Sequence, residues 1–210
     1  MYTDGRELYT RNLEPGVAVY GEPLREEGGV EYRLWDPHRS KLAAFLRLGG
    51  SAPPFSPSSR VLYLGAASGT TVSHVSDLCA EGTVFAVEVS RRVFEKLLLV
   101  ASDRPILVPI MADAAKPESY ANVIGDPVEI VYQDLAQPDQ DAIFLRNLEL
   151  LRPGGAGFLA VKARSVDVAA DPATVFAASR KALERAGCRV RDVQSLHPFQ
   201  RDHAMVIVER

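Results

Sequence analysis

A segment of small residues joins two predicted elements and would let the backbone approach a ligand closely. Residues 64–71 read LGAASGTT, after an apolar run and before a helical pattern. The free N–H groups at the start of a helix, and the positive end of its dipole, favour an anion at such a turn. Glu88 ends the next apolar run, and an acid at that interval accepts hydrogen bonds from the two hydroxyls of a ribose. Together these features favour a nucleoside cofactor over a tight turn without a ligand.

A second acid, Asp113, follows the third predicted strand, where it can accept a hydrogen bond from the exocyclic amine of adenine. The turn after Leu64 has the pattern G-x-A-x-G, whereas dinucleotide sites use G-x-G-x-x-G. The chain also ends in two strands with no helix between them, where a dinucleotide-binding fold has a second βαβαβ half. These differences favour S-adenosylmethionine over NAD.

Short apolar runs alternate with helical patterns from Arg60 onward, which is typical of parallel strands buried on both faces. The predicted strands are 61–64, 84–87, 106–110, 128–132 and 157–161, followed by 189–196 and 204–208. The predicted helices are 72–78, 91–101, 140–150 and 173–186, the last ended by Gly187. The pattern predicts an α/β fold, with a seven-stranded, mostly parallel, Rossmann-like sheet that ends in an antiparallel pair.

The first fifty residues lack the alternation of strands and helices that follows Arg60. This difference predicts a small N-terminal β-domain over 1–50 ahead of a cofactor-binding domain over 51–210. Short β-prone runs at 17–20 and 30–35 lie between Gly-Pro turns and indicate an antiparallel sheet. A helix from Lys41 to about Leu48 follows, with Ser40 or Asp36 as its cap, and then a Gly/Ser/Pro linker over 49–59. Trp35 and Tyr32 are expected to pack this sheet against the main domain, with RNA stacking as the second choice.

The composition fits a globular protein, with 210 residues, 47% of them apolar and 24% charged, and a net charge of −3. A negative net charge argues against binding nucleic acid by bulk electrostatics, so an RNA substrate would need a partner to hold it. Arg33, Arg39, Lys41 and Arg47 outnumber Asp36 in one stretch, but a solvated face is the favoured interpretation of these charges.

The sequence predicts neither a membrane span nor export, because its apolar runs are short and its start lacks the features of a signal peptide. Cys79 and Cys188 form no CxxC pair, which favours a reducing cytoplasm, and Cys79 is expected in the core. His38, His74 and His197 lack metal-ligand spacing, so no metal site is predicted.

Three longer segments carry a family resemblance. They read GAASGTTVSHVSD at 65–77, QDLAQPDQ at 133–140 and VKARSVD at 161–167. These motifs resemble those of the fibrillarin family, and the likeness extends over about residues 32–208. It implies a class I methyltransferase domain and an S-adenosylmethionine-dependent RNA ribose 2′-O-methyltransferase. It also implies a box C/D guide ribonucleoprotein acting on ribosomal or transfer RNA, with guide RNA, target RNA, a Nop-family scaffold protein and a ribosomal-type kink-turn-binding protein as partners.

The resemblance implies a role for each matching residue. The implied cofactor-binding residues are Gly65, Ala67 and Gly69 in the turn, Thr70 and Thr71 at the methionine end, Glu88 and Val89 at the ribose, Asp113 and Ala114 at the adenine, and Asp134, Leu135, Ala136 and Gln137 beside the methyl group. The implied catalytic tetrad is Lys41, Asp134, Lys162 and His203. The sequence departs from the family at Val89, where aromatic residues are common, and in a shorter N-terminal β-domain.

The tetrad fits the chemistry of methyl transfer from a sulfonium to a ribose hydroxyl. That reaction is an in-line displacement, which needs alignment and a group that accepts the hydroxyl proton. Asp134 is the predicted base or orienting group, and Lys162 would orient it or lower its pKa by ion pairing. The structural alternatives are a solvated Lys162, a helix-capping Asp134 and a His203 that only bonds to the backbone.

Two other functions remain open at this point. A small-molecule O-methyltransferase of the same fold should carry a lid over its substrate, and the sequence has no insertion of that kind. A non-catalytic binding subunit with the cofactor fold should have lost the Asp134 and Lys162 pair, and both residues are present.

Overall fold

The computed structural model describes residues 1–51 and 54–210, so Ala52 and Pro53 of the predicted 49–59 linker lie outside the described residues. The chain begins with the small antiparallel sheet that the sequence predicts. Its strands are β1 (Tyr2–Thr3), β2 (Leu8–Arg11), β3 (Leu24–Glu27) and β4 (Val30–Leu34), in the spatial order β1-β2-β4-β3.

The prediction of a strand at 17–20 is wrong, because side chains bond to backbone groups that a sheet would use. The Glu22 carboxylate accepts hydrogen bonds from the N–H groups of Val19 at 3.0 Å and Tyr20 at 2.7 Å. The Asn12 amide donates to the Val17 carbonyl at 3.1 Å. With these groups satisfied by side chains, the segment forms a loop.

The predicted helix after this sheet is α1 (Lys41–Arg47), and of the two candidate caps it uses Ser40. The Ser40 hydroxyl oxygen accepts from the Ala43 N–H at 3.3 Å. The same oxygen accepts from the indole N–H of Trp35 at 3.0 Å and from the hydroxyl of Thr71 at 3.1 Å. Because Thr71 follows the glycine turn, Ser40 connects the start of α1 to that turn.

The main sheet has seven strands, as predicted. They are β5 (Arg60–Leu64), β6 (Thr83–Glu88), β7 (Leu107–Met111), β8 (Val128–Gln133), β9 (Leu151–Lys162), β10 (Arg189–Ser195) and β11 (His203–Glu209). Their spatial order is β10-β11-β9-β8-β5-β6-β7. The five from β5 to β9 run parallel, and β11 and β10 add the antiparallel pair. The carboxyl ends of the parallel strands therefore meet at one edge, where doubly wound sheets bind ligands.

Helices cover both faces of this sheet and bury its apolar strands. They are α2 (Thr70–Leu78), α3 (Arg91–Ser102), α4 (Ala121–Ile124), α5 (Gln140–Asn147), α6 (Ala163–Val166) and α7 (Pro172–Arg185). The predicted helix 140–150 ends early, since 148–150 is a 3-10 turn. The single-turn helices α4 and α6 were not predicted, because four residues are too few to show a periodicity. Within residues 1–51 and 54–210, none of the helices has the length and apolar character needed to cross a membrane.

Two arginines and two acids form a buried cluster between the small sheet and the main domain. The Arg33 guanidinium lies 2.6 Å from Glu22 and 2.8 Å from Asp77, and all three side chains are buried. Arg104 contacts the other oxygen of Asp77 at 2.5 Å. The solvated face predicted for Arg33 is therefore wrong, because Asp77 on α2 and Glu22 in the loop before β3 compensate its charge inside the protein.

His74 lies in the same interface and is completely buried. Its Nδ1 lies 2.7 Å from the Thr10 hydroxyl, and its Nε2 lies 2.7 Å from the Tyr20 hydroxyl. The indole ring of Trp35 stacks on the imidazole at 5.1 Å between centroids. Trp35 therefore packs the small sheet against α2 as predicted, whereas the ring of Tyr32 contacts that of Tyr2 within the small sheet.

Protonation of His74 should destabilise the protein in mild acid. Burial, and then the charges of Arg33 and Arg104, hold the pKa of His74 well below its ordinary value of 6.5. The unfolded chain binds this proton as the pH falls below 6.5 and the folded protein does not, so the free energy of unfolding should fall by up to about 1.4 kcal/mol per pH unit. Urea unfolding between about pH 5 and 7.5 measures this slope. His74→Gln should flatten it, and His38→Gln, at an exposed position, should not; equal slopes in the two variants would contradict this explanation.

Candidate active site

Two glycines shape the turn between β5 and α2. Gly65 has φ +80° and Gly69 has φ +102°, a region that favours glycine. A Cβ on Gly65 would lie 2.6 Å from the Asp134 carbonyl oxygen, and a Cβ on Gly69 would lie 2.9 Å from the Val100 side chain. Any other residue would therefore push the turn away from Asp134, the residue after β8, or from α3.

Glu88 connects this turn to the end of β6. Its carboxylate accepts hydrogen bonds from the Ala67 N–H at 3.0 Å and the Ser90 N–H at 2.8 Å. A crevice beside Glu88 collects residues from four strand ends. Its lining includes seven of the predicted cofactor residues: Gly65, Glu88, Val89, Asp113, Ala114, Leu135 and Gln137. Residues far apart in sequence thus form one concave site with two carboxylates and apolar walls.

The other predicted cofactor residues surround this crevice without lining it. Ala67 reaches it only through its hydrogen bond to Glu88. Thr70 is the half-buried first residue of α2, but Thr71 is buried and its hydroxyl bonds to Ser40. Ala136 is exposed beside Gln137. Of the threonine pair, therefore, only Thr70 retains a side chain partly open to solvent.

Asp134 is held between two lysines that are far apart in the sequence. Its Oδ2 lies 3.1 Å from Lys41 Nζ, and its Oδ1 lies 2.8 Å from Lys162 Nζ. Lys41 is the first residue of α1, and Lys162 ends β9. Each of the three side chains is less than a fifth exposed. The alternatives of a solvated Lys162 and a helix-capping Asp134 do not match this geometry, since α5 begins after Asp139.

The two ammonium groups set the charge state of Asp134. Burial raises the pKa of this carboxyl, but Lys41 and Lys162 more than offset that effect and lower the pKa below its ordinary value of 3.8. Beneath the carboxylate, burial raises the pKa values of Tyr63 and Tyr132, whose rings lie 4.6 Å apart. At neutral pH the site therefore holds one carboxylate, two cations and two neutral phenols.

His203 joins this cluster through the antiparallel pairing of β11 with β9. Its Cα is opposite that of Lys162 in the ladder. The ring Nδ1 lies 2.5 Å from the Arg201 carbonyl oxygen, so Nδ1–H donates to that carbonyl and Nε2 carries the lone pair. Burial, aided by Lys41 and Lys162, lowers the pKa of His203 despite the Arg201 carbonyl. His203 is thus neutral at neutral pH, bonded to the backbone and near the other three predicted catalytic residues.

Three further polar side chains position this cluster, and of these only Ser40, as a candidate cap, was predicted from the sequence. Ser40 caps the helix that begins with Lys41. Gln200 donates to the carbonyls of Pro37 at 2.9 Å and His38 at 2.7 Å, which ties the loop before His203 to the turn before α1. Gln140 bonds to the backbone of Lys162. Ser40 had a signal as a candidate cap and Gln140 lies in the 133–140 motif, but Gln200 has none in its local sequence.

The strand order, the glycine turn and the acid after the second parallel strand define a Rossmann-like methyltransferase fold of class I. The fibrillarin family model matches residues 1–210. The chain therefore belongs to the fibrillarin family.

Related proteins match nearly the whole chain in sequence, and related crystal structures match it in fold. The fibrillarin-like rRNA/tRNA 2′-O-methyltransferase of Methanopyrus kandleri is 46% identical over 212 aligned positions, which cover 100% of this chain and 91% of that protein. The crystal structure of Aeropyrum pernix fibrillarin with natively bound S-adenosyl-L-methionine has a TM-score of 0.88 and 45% identity, with 96% of this chain and 88% of that chain covered. A fibrillarin/Nop5p complex matches with a TM-score of 0.88 and 40% identity, covering 97% of this chain and 94% of that chain.

Proposed function

We propose that this protein transfers a methyl group from S-adenosylmethionine to a ribose 2′-hydroxyl of RNA. The observation that carries the proposal is the cluster of Lys41, Asp134, Lys162 and His203 at the sheet edge that also holds the crevice beside Glu88. The Methanopyrus kandleri relative, named an rRNA/tRNA 2′-O-methyltransferase, supports ribosomal and transfer RNA as the substrates.

The residues of the crevice fit S-adenosylmethionine. Glu88 would accept hydrogen bonds from the ribose hydroxyls, and Asp113 would accept one from the adenine amine. Gly65 lets the turn lie against the backbone of Asp134, because a Cβ there would be 2.6 Å from the Asp134 carbonyl oxygen. Thr70 and the first N–H groups of α2 would hold the methionine end. The bound cofactor supplies a methyl group on a positively charged sulfur.

Cofactor affinity should depend strongly on Glu88. Glu88→Ala removes the acceptor of the ribose hydroxyls and the carboxylate that holds the Ala67 N–H. The loss is worth about 1–3 kcal/mol, or about tenfold to a hundredfold in the dissociation constant. Calorimetry with S-adenosylhomocysteine measures it. Glu81→Ala, an exposed acid before the other end of β6, should leave the constant unchanged; an unchanged constant in Glu88→Ala would place the cofactor elsewhere.

The Asp134 carboxylate would orient the acceptor hydroxyl and stabilise positive charge as the proton leaves. Its lowered pKa makes complete proton removal by Asp134 unfavourable, so an orienting role fits the electrostatics better than that of a strong base. Lys41 and Lys162 would keep this carboxylate ionised and fixed. The lone pair on His203 Nε2 is a further acceptor beside the cluster.

We further propose that the protein works in a box C/D guide ribonucleoprotein with guide RNA, target RNA, a Nop-family scaffold and a kink-turn-binding protein. The complex of a related fibrillarin with Nop5p supports the scaffold. The net charge of −3 offers little counterion release on RNA, so partners would have to deliver the substrate. Two free cysteines agree with a reducing cytoplasm as its location.

Methyl transfer from labelled S-adenosylmethionine tests this dependence on partners. We expect site-specific labelling of guide-paired RNA when the scaffold, the kink-turn protein and the guide RNA are present, and little labelling by the purified chain with naked RNA. Small phenols and catechols, as acceptors for the alternative small-molecule O-methyltransferase, should remain unlabelled. Efficient, site-specific labelling of naked RNA by the chain alone would contradict the dependence on partners.

A further inference from the structure

Lys162 extends beyond the end of its neighbouring strand on one side. The ladder between β8 and β9 ends at the pair Gln133 and Leu159, while β9 continues to Lys162 and pairs there with His203 of β11. On the β8 side, therefore, no strand among the described residues pairs with the backbone of Lys162. An unpaired backbone group in a buried place costs free energy, so another partner is needed there.

The side chain of Gln140 takes that place. Its Oε1 accepts a hydrogen bond from the Lys162 N–H at 3.1 Å, and its Nε2 lies 3.5 Å from the Lys162 carbonyl oxygen. Gln140 is the first residue of α5 and is completely buried. A primary amide carries both a donor and an acceptor, so it can bond to the N–H and C=O of one residue as a further strand residue would.

A second buried glutamine holds the first. Gln133, the residue before Asp134, is completely buried and donates from its Nε2 to the Gln140 carbonyl at 2.7 Å. The bonds therefore run from the neighbour of Asp134, through Gln140, to the backbone of Lys162. The Lys162 ammonium in turn lies 2.8 Å from the Asp134 carboxylate. The contacts therefore lead from Gln133 through Gln140 and Lys162 back to Asp134, the neighbour of Gln133.

We propose that Gln140 is a positioning residue, which holds Lys162 against Asp134 during methyl transfer, and that Gln133 fixes Gln140 in place. The inference rests on the proposed function in so far as it concerns catalysis. This role explains why the glutamines at the two ends of the 133–140 segment have side chains with no access to solvent. Neither glutamine touches the crevice beside Glu88, so the effect of removing them should appear in the rate and not in cofactor binding.

Gln140→Met tests the inference, because it keeps the length and volume of the side chain and removes both bonds. We expect the single-turnover rate at saturating cofactor and RNA to fall by about tenfold or more, with little change in the dissociation constant for S-adenosylhomocysteine. A displaced Lys162 lowers the pKa of Asp134 less, so the acidic limb of the pH–rate profile should move to higher pH. Gln140→Glu keeps an acceptor for the Lys162 N–H and should recover part of the rate.

Ser179→Ala is the matched control. It removes another partly buried hydrogen bond to α5, from the Ser179 hydroxyl to Asp141 at 2.9 Å, and does not touch Lys162. It should lower the melting temperature without changing the rate or its pH profile. Amide hydrogen exchange at Lys162 adds a readout that needs no activity, and it should become faster in Gln140→Met only.

Two outcomes would overturn the inference: a wild-type rate and pH profile in Gln140→Met, or unchanged exchange at Lys162. A wild-type complex that transfers no methyl group to RNA would instead overturn the proposed function. Exchange at Lys162 would even then decide whether Gln140 holds its backbone.

Discussion

Asp134→Asn should lower the single-turnover rate of methyl transfer by about 10²–10⁴, the usual range for a positioned acid–base group. The amide keeps the shape of the side chain but removes the charge that lies between Lys41 and Lys162. The two ammonium groups would then face each other without a carboxylate, and the acceptor hydroxyl would lose its orienting partner. Lys162→Ala should cause a similar loss, because it frees one carboxylate oxygen.

Cofactor binding and folding must be measured beside the rate in these variants. The affinity for S-adenosylhomocysteine should change far less than the rate, and a thermal melt should exclude unfolding. Lys41→Ala should show a smaller loss, because its contact with Asp134 is the longer of the two, and so should His203→Ala. Asp139→Asn, an exposed acid in the same segment, should transfer methyl groups at the wild-type rate. Near-native rates in both Asp134→Asn and Lys162→Ala would leave alignment alone as the source of catalysis.

Asp77→Asn should destabilise the fold by about 3–5 kcal/mol, because it leaves two buried guanidinium groups without their shared carboxylate. Asp77 contacts Arg33 and Arg104 through different oxygens, and it also accepts a hydrogen bond from the Thr10 hydroxyl at 2.7 Å. These contacts join the small sheet to α2, the helix that follows the glycine turn. The loss should therefore appear both in stability and in the docking of the N-terminal sheet.

Urea unfolding and limited proteolysis measure these two effects. Glu95→Gln is the matched control, since Glu95 pairs with Arg91 on the exposed side of α3 and its loss should not be measurable. The first thirty-four residues should become more sensitive to protease in Asp77→Asn. An unfolding free energy within error of wild type would mean that solvent reaches the two arginines more readily than their burial indicates.

The main sheet and the crevice could be predicted because their signals are local. An apolar run, a small-residue turn and an acid at the next strand end each occupy a few residues, and parallel topology then brings Gly65, Glu88 and Asp113 to one edge. The pair of Asp134 and Lys162 follows from the same argument, since β8 and β9 are neighbours. Lys41 does not, because its distance from Asp134 depends on how α1 packs, and only the family resemblance indicated it.

The remaining features depend on contacts between distant segments. Arg33 looks like a surface charge until Asp77 and Arg104 are placed beside it. The run at 17–20 has the composition of a strand, but two of its N–H groups donate to the Glu22 carboxylate and not to a neighbouring strand. Gln200 bonds to two carbonyls of the turn that precedes α1, far from it in sequence. In each case a polar side chain bonds to a partner that only the tertiary structure brings near. Hydrophobic periodicity carries no information about such partners.

The most direct test of the proposed function compares two RNAs in the assembled guide complex, identical except that one has a 2′-deoxyribose at the target nucleotide. With methyl-labelled S-adenosylmethionine, we expect labelling of the ribose RNA at that nucleotide, resistance of the following phosphodiester to alkaline cleavage, and no labelling of the deoxy RNA. Equal labelling of both RNAs would place the methyl group on a base, and no labelling of either would remove methyl transfer to RNA from the function of this protein.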